Sequence, residues 1–453
     1  MARLCHYFTC IVGKEYVAKR VMFRSGERFS VLKRAGGLPV HEVVLFLGTF
    51  RTKGRAANTI HGVCRVLALL HRNVRAAQVH EDEHVPHDEA VARPDGIAYL
   101  RDLFSTGNFL STTELVRLAE IARYHIDDED DDDGISKPGR HVINFNRVRM
   151  RRGRPVKDTR KPVEVDTHGT RIRYMAAYLK FVAGKVAETL PPKLSKSLKS
   201  NCQEGLETLA AYIPPKSDRA KLGKRVGLSE EEQARLVAVV HPSSPENPWQ
   251  RGFVRKRNWI IVVLLLATGI RRGELLGLQI SDLVQREPKI RIYRRADAAE
   301  DPRLDQPNTK TSDREIELHP AIMRELWRYI HVDRHAIRAA RRVPQVIVAD
   351  DGTPLSGSSI DKMFQQLRQA CPGLPMELVS HVMRHSWNER FSEQAEALGM
   401  SEIAEEQARK TQQGWSETSK MPSTYTRRYN ERKGREVSLK MQEKLDAQIR
   451  KKN

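Results

Sequence analysis

Between residues 213 and 227 the sequence IPPKSDRAKLGKRVG sets two prolines, two glycines and five basic side chains in a stretch with little apolar content. Proline lacks the amide proton that helices and sheets use, and glycine loses the most freedom when fixed. Such a stretch reads as a basic linker, extended at its prolines and positive enough to track a phosphate backbone. It divides the 453 residues before any packing begins, and a chain of that length is too long for one ordinary core. Directly after it, Ser229 and Glu232 have the spacing of a capping box, so a new unit opens with the helix SEEEQARLVAVV.

Helical periodicity dominates on both sides of the linker. Before it, PVHEVVLFLGTF and NTIHGVCRVLALLHR predict two helices, the second with Ile60, Val63, Leu67 and Leu70 on one face and Asn58 or Thr59 as its cap. IAYLRDLF, TTELVRLAEIARY and residues 170–186 extend the pattern, the last with Ile172, Met175, Leu179 and Val182 aligned. After the linker, long helical patterns alternate with one β region. There KIRIYRR (289–295) and REIELHP (314–320) read as strands flanking a polar loop with Asn308, Thr309 and Lys310. The expected fold class is mainly α with a small antiparallel β-sheet. The expected layout is an unassigned segment over 1–37, a helical domain over 38–212, the linker, a second domain over 228–435 and a helical tail over 436–453. In the tail Val437, Met441 and Leu445 recur at helical spacing among basic residues. The acidic run at 127–134 repels itself and reads as a solvated loop. Its adjacent carboxylates lack the alternating spacing of a calcium loop, so it receives no site role.

Lys and Arg number 78 against 57 Asp and Glu, a formal net charge of +21. An excess that large fits a polyanionic partner, because each phosphate neutralised releases a condensed counterion. Charge alone also fits a ribosome-associated or membrane-surface factor. The five cysteines are scattered with no C-x-x-C pair, which argues against a disulfide framework or zinc ribbon and fits a reducing cytoplasm. The longest apolar stretch, Trp259 to Ala267, is far short of the ~20 residues of a spanning helix, and MARLCHYFTC has no signal-peptide pattern. A soluble cytoplasmic protein is expected, with no membrane partner.

Four stretches of the second half carry residues able to do chemistry. In ATGIRRGELLGL (267–278), Gly269 breaks an apolar helix, so Arg271 sits at the start of the next one. A helix N-terminus with a guanidinium fork makes a phosphate site. Lys310 stands between the two strands. In HVMRHSW (381–387), His381 and Arg384 are three apart and project from one helical face. In QGWSETSKMPSTYTRRY (413–429), Trp415 precedes Tyr425 by ten residues. Each alone is ordinary: a surface arginine, a solvated lysine, a filler aromatic. His381 and His385 have the spacing of a helical zinc pair, but Val382 stands where that motif needs its Glu. No Walker loop and no carboxylate cluster of two-metal type occurs, so neither ATP nor metal is expected.

Taken in order, TGIRRGELLGL, LVSHVMRHSW and GW-x9-Y resemble the Arg, His-x-x-Arg and His/Trp–Tyr boxes of the tyrosine recombinase (phage integrase) family, with roughly 110 residues between the arginine boxes. LSEEEQARL is similar to the opening of that family's catalytic domain, and NTIHGVCRVLALL and TRIRYMAAYLKF resemble helices of its DNA core-binding domain. The resemblance implies a nucleophilic Tyr425 that becomes linked to a DNA 3′ phosphate. Arg271 and Arg384 hold the non-bridging oxygens, Lys310 protonates the departing 5′ oxygen, and His381 is general base or proton relay. Trp415 replaces the more common His, Glu274 supports the first arginine, and His385 is structural support. It also implies a double-stranded DNA partner, a homotetramer on two DNA sites, residence at the nucleoid, no cofactor, and a place in a mobile genetic element. The chemistry is coherent, since a phenol of pKa about 10 is a weak nucleophile and needs fixed cations around the phosphate.

This sequence also departs from the family pattern. The loop before Lys310 is longer than usual and Lys289 competes with it, residues 393–414 lack the common apolar pattern, and Tyr429 competes with Tyr425. A type IB topoisomerase and a non-catalytic DNA-binding regulator are the rival readings.

Overall fold

The computed structural model describes residues 16–34, 37–74, 96–126, 161–215, 227–284, 286–307, 311–419, 422 and 427–450. The acidic run at 127–134, residues 216–226 of the linker, Lys310 and Tyr425 lie outside the described residues. The chain divides into two compact units between residues 219 and 220.

The first unit opens with an antiparallel hairpin, β1 (Tyr16–Met22) and β2 (Arg28–Arg34), in a segment that periodicity left unassigned. Tyr16, Ala18, Phe29 and Leu32 bury into the same core as the helices that follow. Those are α1 (His41–Thr52), α2 (Ala57–Val74), α3 (Gly96–Ser105), α4 (Thr112–Ala122), α5 (Val165–Thr189) and α6 (Pro192–Ala211). Helix α2 is central: Ile60, Val63, Leu67 and Leu70 are fully buried, as their spacing requires. Helix α4 begins at a reciprocal capping box between Ser111 and Glu114.

The second unit starts with α7 (Glu230–Val240), capped by Ser229, whose backbone N–H donates to Glu232 Oε2 at 2.8 Å. Then come α8 (Gly252–Thr268), α9 (Arg272–Gly277), β3 (Lys289–Ile292), β4 (Arg314–Glu317) and α10 (Pro320–Arg328), which runs on into a π-helical turn at Tyr329–Arg334. Helices α11 (Gly357–Ala370), α12 (Ser380–Ala397), α13 (Glu402–Gln413) and α14 (Arg427–Arg450) complete it. Helix α8 carries buried Ile260, Ile261, Val262, Leu264 and Leu265, apolar almost all round, and is the core of the unit. The unit's first described residues are pinned to α12: Gly227 N–H donates to Glu389 Oε1 at 2.9 Å and Leu228 N–H to Ser386 Oγ at 2.8 Å.

The fold is mainly helical with two small antiparallel sheets. Both strands of the second sheet stop earlier than their apolar pattern does. Arg295 turns away to pair with Asp282 at 2.8 Å, and Pro320 serves as the first residue of α10 instead of extending β4. Among the described residues no helix is long and apolar enough to cross a membrane.

Candidate active site

The break in the first arginine box forms as its glycine dictates. Gly269 ends α8 with φ +63°, a left-handed conformation that strains any residue with a Cβ, and its N–H donates to Leu265 O at 3.0 Å. A Cβ there would lie 2.8 Å from the Trp387 ring of α12. The chain then turns so that Arg271 occupies the N-cap of α9. Its backbone N–H donates to Glu274 Oε2 at 3.0 Å and its guanidinium Nη1 to Glu274 Oε1 at 3.1 Å.

Glu274 is the hub. It is 2% exposed and also accepts from Thr311 Oγ1 at 2.7 Å and Arg314 Nη2 at 2.8 Å. Burial pushes its carboxyl up, but the Arg314 guanidinium, the Arg271 N–H and the Thr311 hydroxyl outweigh that, and its pKa falls from 4.5 to about 2. The carboxylate is therefore ionised throughout the physiological range.

Arg314, the first residue of β4, carries the network on to α13. Its Nε donates to Gln412 O at 2.8 Å and its Nη1 to Thr311 Oγ1 at 3.1 Å. Beside it, Ser312 N–H donates to Gly414 O at 3.1 Å. Gly414 ends α13 with φ +62°, so close to the strand that a Cβ would lie 2.9 Å from Ser312 O. Trp415 follows directly and is 8% exposed.

The second arginine box closes the arrangement. Arg384 on α12 is 1% exposed, its guanidinium carbon stands 5.2 Å from the Trp415 ring centroid, and Nη1 donates to Gly269 O at 2.7 Å. Stacking on an indole suits a planar guanidinium. Gln413 Nε2 donates to Thr268 O at 3.4 Å, binding the end of α13 to the end of α8. Four segments distant in sequence thus meet: the α8–α9 break, the start of β4, the end of α13 and the first turns of α12.

The structure brings Arg271, Glu274, Arg384 and Trp415 together. His381 is exposed in the first turn of α12, one helical turn before Arg384, with its ring 4.8 Å from that of His385 at 88°. Lys310 and Tyr425 lie outside the described residues, while Thr311, the chain neighbour of Lys310, bonds directly to Glu274. The competing Lys289 is ion-paired with Glu287 at 2.7 Å and Glu317 at 3.6 Å. It lies three residues along β3 from Ile292, the cross-strand partner of Arg314, so about 10 Å of strand separates it from the network. The residues that sequence reasoning missed are Thr311, Arg314, Gln413 and Trp387. Arg314 was visible as a charge four residues after Lys310, but nothing local names its partner. Among the described residues no group of three or more His, Cys, Asp and Glu is placed to hold a metal ion.

A mainly helical unit with a two-stranded sheet and two arginines held beside a buried carboxylate and an indole has the plan of a tyrosine-recombinase catalytic domain. Residues 228–430 match the model of the phage integrase family. Residues 228–430, the greater part of the second unit, thus carry a phage integrase family domain. No curated protein matches the chain. Among solved structures it is similar to the XerA recombinase at 15% identity and a TM-score of 0.33, covering 85% of this chain and 92% of that one. A Tn1549 transposon integrase in complex with circular intermediate DNA is similar at 14% identity and a TM-score of 0.40, covering 78% and 93%. A lambda integrase dimer bound to a core site is similar at 19% identity and a TM-score of 0.33, covering 72% and 80%. Scores that low add nothing to the family match.

Proposed function

We propose that the chain is a site-specific recombinase acting on double-stranded DNA, with Tyr425 as nucleophile and Arg271, Lys310, His381, Arg384 and Trp415 as its catalytic set. The observation that carries this reading is the convergence of Arg384, stacked on Trp415 and bonded to Gly269 O, with Arg271, capped by Glu274. Two permanently charged forks fixed by one scaffold suit the two non-bridging oxygens of one phosphodiester.

In the forward step the Tyr425 oxygen attacks phosphorus and the bond to the 5′ oxygen breaks. His381 receives the phenol proton and Lys310 supplies one to the departing oxygen. Arg271 and Arg384 balance the charge that grows on the non-bridging oxygens, where each fixed donor is worth about 2.7–4 kcal/mol. The 3′-phosphotyrosine keeps the energy of the broken bond, so a 5′ hydroxyl from another strand reverses the step and completes the exchange. Joining two sites requires copies held together, for which a homotetramer on DNA, assembled through the tail over 436–453, is the expected arrangement. Val437, Met441 and Leu445 stand exposed on α14, which supports that use.

A duplex nicked near the candidate crossover point tests the reading, because the released fragment diffuses away and traps the covalent species. The wild-type chain gives a protein–DNA band that survives denaturation, and Tyr425→Phe gives none while still binding the duplex. A band of equal strength from Tyr425→Phe overturns the assignment.

A further inference from the structure

A row of cations runs along α10 and the turns that follow it. Arg324, Arg328, His331, His335, Arg338 and Arg342 are separated by steps of four, three, four, three and four residues, and all six are exposed. Arg324 and Arg328, four apart, share a face of α10, and His331, His335, Arg338 and Arg342 follow in the π-helical and 3-10 turns after it. The opposite face, with Met323, Leu326, Tyr329 and Ile330, is in the core.

The row is held in place from within. Arg334 is buried, donating from Nε to Gln345 O at 3.2 Å and from Nη2 to Val343 O, so the turn after α10 is tied to the segment that follows. Between residues 319 and 343 the only carboxylates are Glu325 and Asp333, and Glu325 is ion-paired with Lys256 and, at 3.9 Å, with Arg328 of the row itself. A face that serves only solubility mixes both signs of charge evenly. Here six arginines stand against two carboxylates.

The start of the row is also remote from the site described above. Glu325, between Arg324 and Arg328, pairs with Lys256 near the start of α8, and Gly269 caps the far end of that helix, so about 20 Å of helix separates the two. A phosphate at Arg384 is out of reach of Arg324 and Arg328.

We propose that this ridge is a second DNA-binding surface, taking the phosphate backbone of duplex outside the cleaved site. The inference rests on DNA being the substrate. Exposed arginine forks outnumbering the carboxylates around them suit a polyanionic backbone, and each phosphate they neutralise releases a counterion.

The test uses the full chain with Arg324, Arg328, Arg338 and Arg342 all changed to Gln. Binding is measured across salt on duplexes of about 20 and about 60 base pairs that share the same centre. Loss of four phosphate contacts lowers the salt slope on the long duplex by about 3.6, so over a fourfold rise in salt the variant loses about 150-fold less affinity than wild type does. On the short duplex the slope stays near the wild-type value, and covalent product on a nicked short duplex is unchanged. The matching four-Lys variant keeps the wild-type slope, which separates lost charge from lost folding.

Equal slopes for wild type and the Gln variant on the long duplex overturn the proposal, and so would be the result if the ridge takes an acidic protein. Equal losses on both lengths also overturn it, because the ridge then grips the cleaved site. Absence of covalent product from the wild type would instead defeat the recombinase reading, with the salt slopes still readable.

Discussion

Replacing Glu274 by Gln probes the hub of the site. The carboxylate is fully buried and receives four hydrogen bonds, from the Arg271 backbone and side chain, Thr311 and Arg314. Gln keeps one acceptor oxygen and turns an amide donor toward these donors, and it removes the charge facing Arg314, itself almost fully buried. The depression of the Glu274 pKa from 4.5 to about 2 corresponds to roughly 3 kcal/mol of folding free energy. Breaking a buried ion pair from one side costs about 3–5 kcal/mol, which agrees. The sign follows from the depressed folded value: this stability is fully present above about pH 4.5 and is lost as pH falls toward 2. Glu274→Gln therefore unfolds in urea with about 3 kcal/mol less stability at neutral pH, and its deficit shrinks as pH drops through that window. Tryptophan fluorescence reads the second unit alone, because Trp249, Trp259, Trp327, Trp387 and Trp415 all lie beyond residue 220. A deficit under about 1 kcal/mol, or one independent of acid pH, refutes the electrostatic account of the hub.

Arg384→Ala slows formation of the covalent complex on a nicked duplex by about 10²–10³-fold in single-turnover assays, the usual cost of one fixed transition-state donor. Lys310→Ala lowers the same rate by about 10²-fold or more, and a substrate whose 5′ oxygen is replaced by sulfur, a better leaving group, restores it. Lys289→Ala stays within about twofold of wild type, because its exposed pairs with Glu287 and Glu317 contribute little. Gly269→Ala loses about 1–3 kcal/mol in urea unfolding, since it combines a left-handed backbone with a Cβ driven against the Trp387 ring.

The parts of the fold that could be read from sequence are those where one local signal suffices. Helices α2 and α5 followed from apolar spacing, the start of α7 from its capping box, and the break before Arg271 from a glycine that the backbone needs at φ +63°. The hairpin at 16–34 could not be read this way, because its alternation is broken by buried polar residues. Arg28 bonds to Gly26 O at 2.7 Å, and Ser30 Oγ lies 3.1 Å from His61 Nδ1 on α2. A period-two reading takes both for outward positions, and only tertiary partners make them inward ones. The ends of β3 and β4 were likewise misjudged, since Arg295 and Pro320 answer to Asp282 and to helix α10. In the site, the boxes identified which residues matter but not what holds them. The pairing of Glu274 with Arg314 spans 40 residues of sequence, and no spacing rule reaches across it.

The central claim is that the cations around Arg384 serve one phenol oxygen, that of Tyr425, and peptide mapping of the trapped complex tests it most directly. Trypsin cuts after Lys420, Arg427, Arg428 and Arg432, placing Tyr425 in the peptide 421–427 and Tyr429 in the separate peptide 429–432. After nuclease trimming, the residual nucleotide mass is expected on 421–427 alone. Nucleotide on 429–432, or on any peptide of the first unit, would contradict the account.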